Sequence, residues 1–292
     1  MIQNRLATGA LAIALTLATT PLAGQISIPT QKSMPLTPLP PSGEFVAPFF
    51  DGWYQNPDGT YTLSFGFFNR NTEEIVEVPL GPDNFLEPAE YDGVQPTYFP
   101  PVSYGGFSGR RERGAFAVTV PADFGDRTVD WTITSAGRTW TIPGRVGVKA
   151  YELSYTPQAA GSLMPEVRVE PDGETAIGRV GVWTQTPLTV EVGQPLTLWA
   201  WGQDHGERDE GELTELNMTW LKHQGPVGEN VQFEPETART PVGGGELTTT
   251  ATFSEPGEYV VRVRVDNFTT SDSSFADQCC WSNGYYRIVV TE

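Results

Sequence analysis

Cys279 and Cys280 stand side by side in "FADQCCWSNGYYRIVV", and the 292-residue chain has no other cysteine. Sulfur is therefore the first chemistry to weigh. Adjacent Cα atoms lie about 3.8 Å apart across a trans peptide, whereas ordinary disulfides span about 4.4–6.8 Å, so a bridge between neighbours closes a tight ring. On a regular strand the two side chains point to opposite faces instead, leaving one thiol buried and the other free or paired with a second chain. The remaining alternative is a thiolate metal or redox centre. Zinc would have to recruit His205 and His223, the only histidines, from far upstream. Blue copper needs a histidine and an axial ligand soon after the cysteine, and "CCWSNGYYRIVVTE" offers neither. A structural use of the pair is the expectation.

Oxygen chemistry concentrates in "DHGERDEGELTE", Asp204 to Glu215, where six acidic residues face one arginine. Calcium takes several hard oxygen ligands, and Asp204, Asp209, Glu210 and Glu212 are the candidate set. The spacing fits no EF-hand, and a solvated acidic loop is the plainer reading. Calcium is the one cofactor the sequence brings into question. Trp53, Tyr54, Tyr98, Trp199 and Trp201 form a third group, because aromatic faces stack on the apolar faces of sugars. Strand alternation sends Trp199 and Trp201 to one side, opposite Leu196, Leu198 and Ala200. Core packing is the competing use of such rings. Arg110, Arg111 and Arg113 in "SGRRERG" read as a solvent-exposed turn. For catalysis the chain has no GxSxG, no HExxH and no phosphate-cradling loop, and a triad would depend on one of the two histidines. No enzyme is expected.

The elements that must position these groups are strands. Gly 31 and Pro 25, with 8 Trp, 10 Tyr and 15 Phe, suit short strands joined by tight turns. "WYQNPDGTYTLSFGFFN" places a Pro-Asp-Gly turn between aromatic and β-branched runs. "RGAFAVTVP", "RTVDWTITSAG" and "RTWTIPG" continue the series. In "EYVVRVRVD", Tyr259, Val261, Val263 and Val265 face one way while Val260, Arg262, Arg264 and Asp266 face the other, which predicts a strand with one side in a core and one in water. The chain divides into a signal peptide over 1–24, a Pro-rich linker over 25–44, a β-sandwich domain over 45–155, a connector over 156–185 and a second sandwich over 186–292. The first segment has one early Arg5 and then a small-residue apolar run ending near Ala23 and Gly24, too short for a comfortable membrane span. Gln25 stands where a lipoprotein signal needs its cysteine.

"VEVGQPLTLWAWGQD", the lone Trp220 and "TFSEPGEYVVRVRVDN" together resemble bacterial Ig-like and PKD-type modules. The resemblance covers roughly residues 186–292. It implies a turn at Pro256 and Gly257, a strand opening near Tyr259 and Trp220 as the core aromatic. The expected fold is all-β: two antiparallel, Ig-like β-sandwich domains after a signal peptide and Pro-rich leader. A net charge of −18 excludes nucleic acid as a partner, because a polyphosphate needs a basic face. The reading is a secreted or periplasmic, noncatalytic binding or envelope-structural protein whose partner is a glycan or another envelope protein, with no membrane span in the mature chain. A carbohydrate-binding accessory protein and a thiol or metal protein are the alternatives.

Overall fold

The computed structural model describes residues 39–102, 110–153, 161–208, 211–228, 230–267 and 280–292. The leader, Asp209, Glu210 and Cys279 lie outside them. Residues 39–292 form one compact unit. It is almost entirely β, as the composition predicts, with single 3-10 turns at Ala89–Tyr91 and Lys149–Tyr151.

The N-terminal half runs β1 (Val46–Gln55), β2 (Tyr61–Asn69), β3 (Val76–Glu77), β4 (Asn84–Glu87), β5 (Tyr98–Phe99), β6 (Glu112–Val120), β7 (Val129–Ser135) and β8 (Arg138–Gly144). Antiparallel β1-β2-β6 and β4-β7-β8 form its larger sheets. They enclose an aromatic core in which Phe65 stacks on Phe116 at 5.1 Å and meets Trp131 edge-on. The β1–β2 hairpin closes through the expected Pro-Asp-Gly turn: Gly59 takes φ +88° and the Asp58 carboxylate accepts from the Thr60 N–H at 3.0 Å.

The C-terminal half runs β9 (Glu166–Arg168), β10 (Ala176–Ile177), β11 (Val182–Trp183), β12 (Leu188–Glu191), β13 (Pro195–Gln203), β14 (Asn217–Gln224), β15 (Val231–Glu234), β16 (Thr237–Arg239), β17 (Gly244–Phe253), β18 (Gly257–Asp266) and β19 (Trp281–Thr291). One sheet is ordered β10-β9-β13-β17-β15 and the other β11-β19-β18-β14-β16, with β12 also pairing β19 in parallel. Between them lie Trp220, fully buried, and the Tyr259, Val261, Val263, Val265 face of β18.

Two expectations need correction. The segment 156–185 is more than a connector, because β9, β10 and β11 fall within it and pair into both sheets of the C-terminal sandwich. They are only two or three residues long, too short for alternation to show. The second face of β18 is not in water either. Arg262 and Asp266 are buried, because the N-terminal half lies against that face.

Candidate functional site

The seam between the halves gathers the buried ionisable groups, and three irregular strand positions deliver its contacts. β1 shifts register at Asp51, β2–β6 shifts opposite Gly66, and β14 bulges at His223. A bulge re-aims a side chain that regular pleating would send elsewhere. Asp51 accepts from the Gly114 N–H at 2.7 Å and pairs with Arg111 at 2.6 Å. The Gly114 carbonyl in turn accepts from Arg262 Nη1 at 3.3 Å, Asn283 Nδ2 at 3.2 Å and Trp281 Nε1 at 3.5 Å. Gly114 itself sits at φ +53°, a conformation open to glycine at little cost.

Arg262 anchors the seam. Its Nη2 meets Glu112 Oε1 at 2.6 Å with both side chains 5% exposed or less, and its Nη1 donates to the Ala115 carbonyl at 2.7 Å. Arg264 lies between Glu112 and Asp266, at 3.6 and 3.2 Å. Lys222 reaches Glu77 at 2.8 Å and also donates to the Pro226 and Gly228 carbonyls. His223 is buried beside the ring of Tyr285; Nε2 donates to the Val94 carbonyl at 2.8 Å, which requires the proton on that nitrogen. Burial, with the Arg262 charge adding to it, holds the imidazole pKa down to about 3, so this histidine is neutral at physiological pH. Burial pushes the Tyr285 phenol up to about 12. Main-chain contacts continue the seam, with the Thr97 N–H donating to the His223 carbonyl and Gln224 Nε2 donating to the Gly93 and Gln95 carbonyls.

Beside these groups lies a cleft of about 240 Å³ with walls from both halves. Tyr98, Pro96, Pro100 and Leu221 contribute apolar surface, while Lys222, Arg262, Arg264, Glu112 and His223 contribute the polar part.

The residues that the sequence nominates are scattered by comparison. Trp53 and Tyr54 are buried in the N-terminal half, Trp53 donating Nε1–H to the Val148 carbonyl, so neither offers an open stacking face. Tyr98 lines the seam cleft with Lys222 Nζ 4.9 Å from its ring. Trp199 and Trp201 share one face of β13, as alternation predicts, and the Arg168 guanidinium lies over both rings at 5.4 and 5.1 Å. No single aromatic platform unites the five.

Asp204 is buried and paired with Arg208 at 2.7 Å while it accepts from the Thr214 N–H at 2.9 Å. Burial alone would raise its carboxyl, but these partners more than offset that and lower the pKa below the ordinary value. Asp204 thus folds the acidic loop on itself. The exposed Glu212 contributes its main-chain carbonyl to Arg208, and Asp209 and Glu210 lie outside the described residues. Among the described residues no group of three or more acidic, histidine or cysteine side chains is placed to hold a metal ion. His205 meets Glu166 at the surface at 2.9 Å, distant in role from His223. Cys280 is buried and disulfide-bonded, its Sγ 3.4 Å from the Ser162 carbonyl oxygen, and Cys279 lies outside the described residues. The basic trio also departs from the exposed turn expected of it. Arg111 is paired with Asp51 and stacks 4.2 Å from the Phe49 ring, and Arg110 donates to the Asn71 carbonyl.

Sequence reasoning missed Glu77, Glu112, Lys222 and Arg262 as a group. The available signal was the pair Arg262 and Arg264 alternating with valines on one strand of a strongly acidic chain.

Fold and seam define an all-β protein built from antiparallel, Ig-like sandwich layers. More narrowly, residues 180–277 match the PKD domain family, so the C-terminal sandwich is of PKD type, as the residues around Trp220 and Tyr259 imply. Comparison with curated proteins gives no match. Among solved structures the chain is similar to domains 4 and 5 of the S-layer protein SbsC, at 13% identity over 73% of this chain and 79% of that one, with a TM-score of 0.25. The adhesin InvE of Yersinia pseudotuberculosis is similar at 13% identity over 84% of this chain and 58% of its own, TM-score 0.26. The PapD-like domain 7 of human CEP192 is similar at 13% identity over 45% and 87%, TM-score 0.27.

Proposed function

We propose that this protein is an exported, noncatalytic module of the bacterial envelope that holds two β-sandwiches as one body and presents their outer surfaces to a partner. The observation that carries the reading is how the buried ionisable groups are used. Glu112 with Arg262, Glu77 with Lys222, and a neutral His223 against a carbonyl all join one half to the other. Catalytic acids and bases work from the same residue types, but they face a substrate and titrate near the working pH. Here they are locked in internal contacts, and the histidine is held far from that range. The PKD match over 180–277 supports the noncatalytic side of the reading, and the signal-like run before Gln25 supports export. Among the described residues no helix is long and apolar enough to cross a membrane.

Fractionation of expressing cells with N-terminal sequencing tests the proposal. The expected product begins near Gln25 and is recovered outside the cytoplasm, in part bound to envelope material. A cytosolic chain with its first residues intact would overturn it.

A further inference from the structure

We propose that the groove over Val260 and Val289 is a binding site for an apolar dipeptide with free termini. The proposal stands apart from the envelope role, because it rests on how one cavity of about 410 Å³ is lined. On the face of the β18–β19 pair that also carries Arg262, Val260 stands opposite Arg287 and Glu258 opposite Val289. The two charges therefore lie on one diagonal of a four-residue square and the two valines on the other. Pro79, Leu80 and Pro187, all exposed, extend the apolar surface of the groove.

Charge distinguishes this cavity from the seam cleft. There Lys222, Arg262 and Arg264 are matched by Glu77, Glu112 and Asp266 at 2.8, 2.6 and 3.2 Å, so the cations are neutralised internally. In the groove Glu258 and Arg287 are the only charged lining residues, and neither has an ion-pair partner among the described residues. Trp183 lies on β11, across β19 from β18, and the Arg287 guanidinium stands 5.8 Å from its ring, which draws the cation away from Glu258. An open cation and an open carboxylate beside apolar surface are complementary to a zwitterion with an apolar body, and to neither an anion nor a cation alone.

Spacing sets the length. Diagonal neighbours across an antiparallel pair are about 7–8 Å apart, and an extended chain spans about 3.3–3.6 Å per residue, so two residues separate an ammonium from a carboxylate by a matching distance. A free amino acid carries both groups on one carbon and falls short of bridging the diagonal. The volume agrees, since about 410 Å³ lies at the small end of the roughly 300–1,000 Å³ of ligand pockets. In this pose the peptide carboxylate meets the Arg287 fork, its ammonium meets Glu258 and its side chains cover the two valines.

Calorimetric titration of the full exported chain at pH 7 with leucyl-leucine tests this, against the same dipeptide acetylated at its amino end, amidated at its carboxyl end or blocked at both, and against free leucine. Leucyl-leucine is expected to bind one to one with a Kd on the order of 1 mM or tighter, with each single block, or the change to leucine, weakening binding about tenfold. Arg287→Gln should erase the difference between the free and amidated dipeptides, and Glu258→Gln the difference between the free and acetylated ones. Both positions are exposed, and the blocked dipeptides probe the same contacts in the unaltered chain if a variant fails to fold. No heat from leucyl-leucine, equal binding of the doubly blocked dipeptide or of leucine, or discrimination that persists in the folded variants would each overturn the proposal. None of these results bears on where the protein is exported.

Discussion

Glu112 and Arg262 illustrate what a buried charge does here. Taking both out of water is costly, and the gain appears only because Arg262 also has the Ala115 carbonyl and Glu112 is within reach of Arg264. Truncation of one partner leaves the other uncompensated. Glu112→Ala is expected to lower stability by about 3–5 kcal/mol in urea unfolding, whereas Glu112→Leu combined with Arg262→Met should recover much of that loss. If the single and double variants are equally destabilised, the pair is not the source of the effect. His223 makes a separate prediction about pH. Its folded pKa of about 3 lies below the ordinary value of 6.5, so the folded state binds fewer protons and the unfolded state gains one as pH falls. Stability from this group is full above about pH 6.5 and declines toward pH 3, by up to about 1.4 kcal/mol per pH unit. Asp204 and Glu166, carboxylates lowered from 3.8 and 4.5, act in the acid range near and below those values, so the interval from 6.5 to 5.5 isolates the histidine. Urea midpoints of the wild type should fall across that interval, and those of His223→Gln, which retains a donor for the Val94 carbonyl, should stay nearly level.

The strand scale is where the seam is built, and Gly114 shows how. A methyl group there would lie 2.7 Å from Trp281 Nε1 and would also have to adopt φ +53°. Gly59 is a natural control, since its φ is +88° but nothing lies within 4 Å of an added Cβ. Gly59→Ala should cost about 1 kcal/mol from backbone conformation alone. Gly114→Ala should cost about 2 kcal/mol or more because overpacking adds to it. Equal losses would mean that the close approach to Trp281 is relieved without consequence. This scale also separates what the chain discloses from what it conceals. The Tyr259, Val261, Val263 and Val265 face and the placement of Trp199 beside Trp201 follow from period-two alternation, which is local. The burial of Arg262 is not local, because its partner Glu112 is 150 positions away. Bulges at Asp51 and His223 break the alternation where the seam needs it, so counting residues along a strand gives the wrong face there. Isolated motifs mislead for the same reason. The acidic loop offers a cation set by residue type alone, whereas the structure engages Asp204 with Arg208, and Trp53 is a stacking candidate by type alone, whereas its indole N–H is held by the Val148 carbonyl.

At the scale of the whole molecule, the seam makes the two hydrophobic cores interdependent. Each core is closed within its own half, one around Phe65 and Trp131, the other around Trp220 and Val263. The β18–β19 face that carries Arg262, Asn283 and Tyr285 packs against β6, and the neighbouring β14 edge bonds to the Gly93–Thr97 stretch of the other half. An isolated C-terminal half would present that face to water and lose the partners of its buried cations. Calorimetry of the full exported chain should therefore show one transition whose van't Hoff and calorimetric enthalpies agree, the signature of a two-state unit. Removing both cross-seam carboxylates, with Glu112→Ala and Glu77→Ala together, leaves each core intact but uncouples them, and the single transition should divide into two. The charges that organise the seam also predict its salt response. Glu112 and Arg262 are shielded from solvent ions by burial, so coupling should persist at 1 M NaCl, where the Debye length is about 3 Å and surface pairs such as Arg239 with Glu215 are screened. Two transitions in the wild type at low salt would show that the halves behave as separate beads, and the seam would then be a contact without energetic consequence.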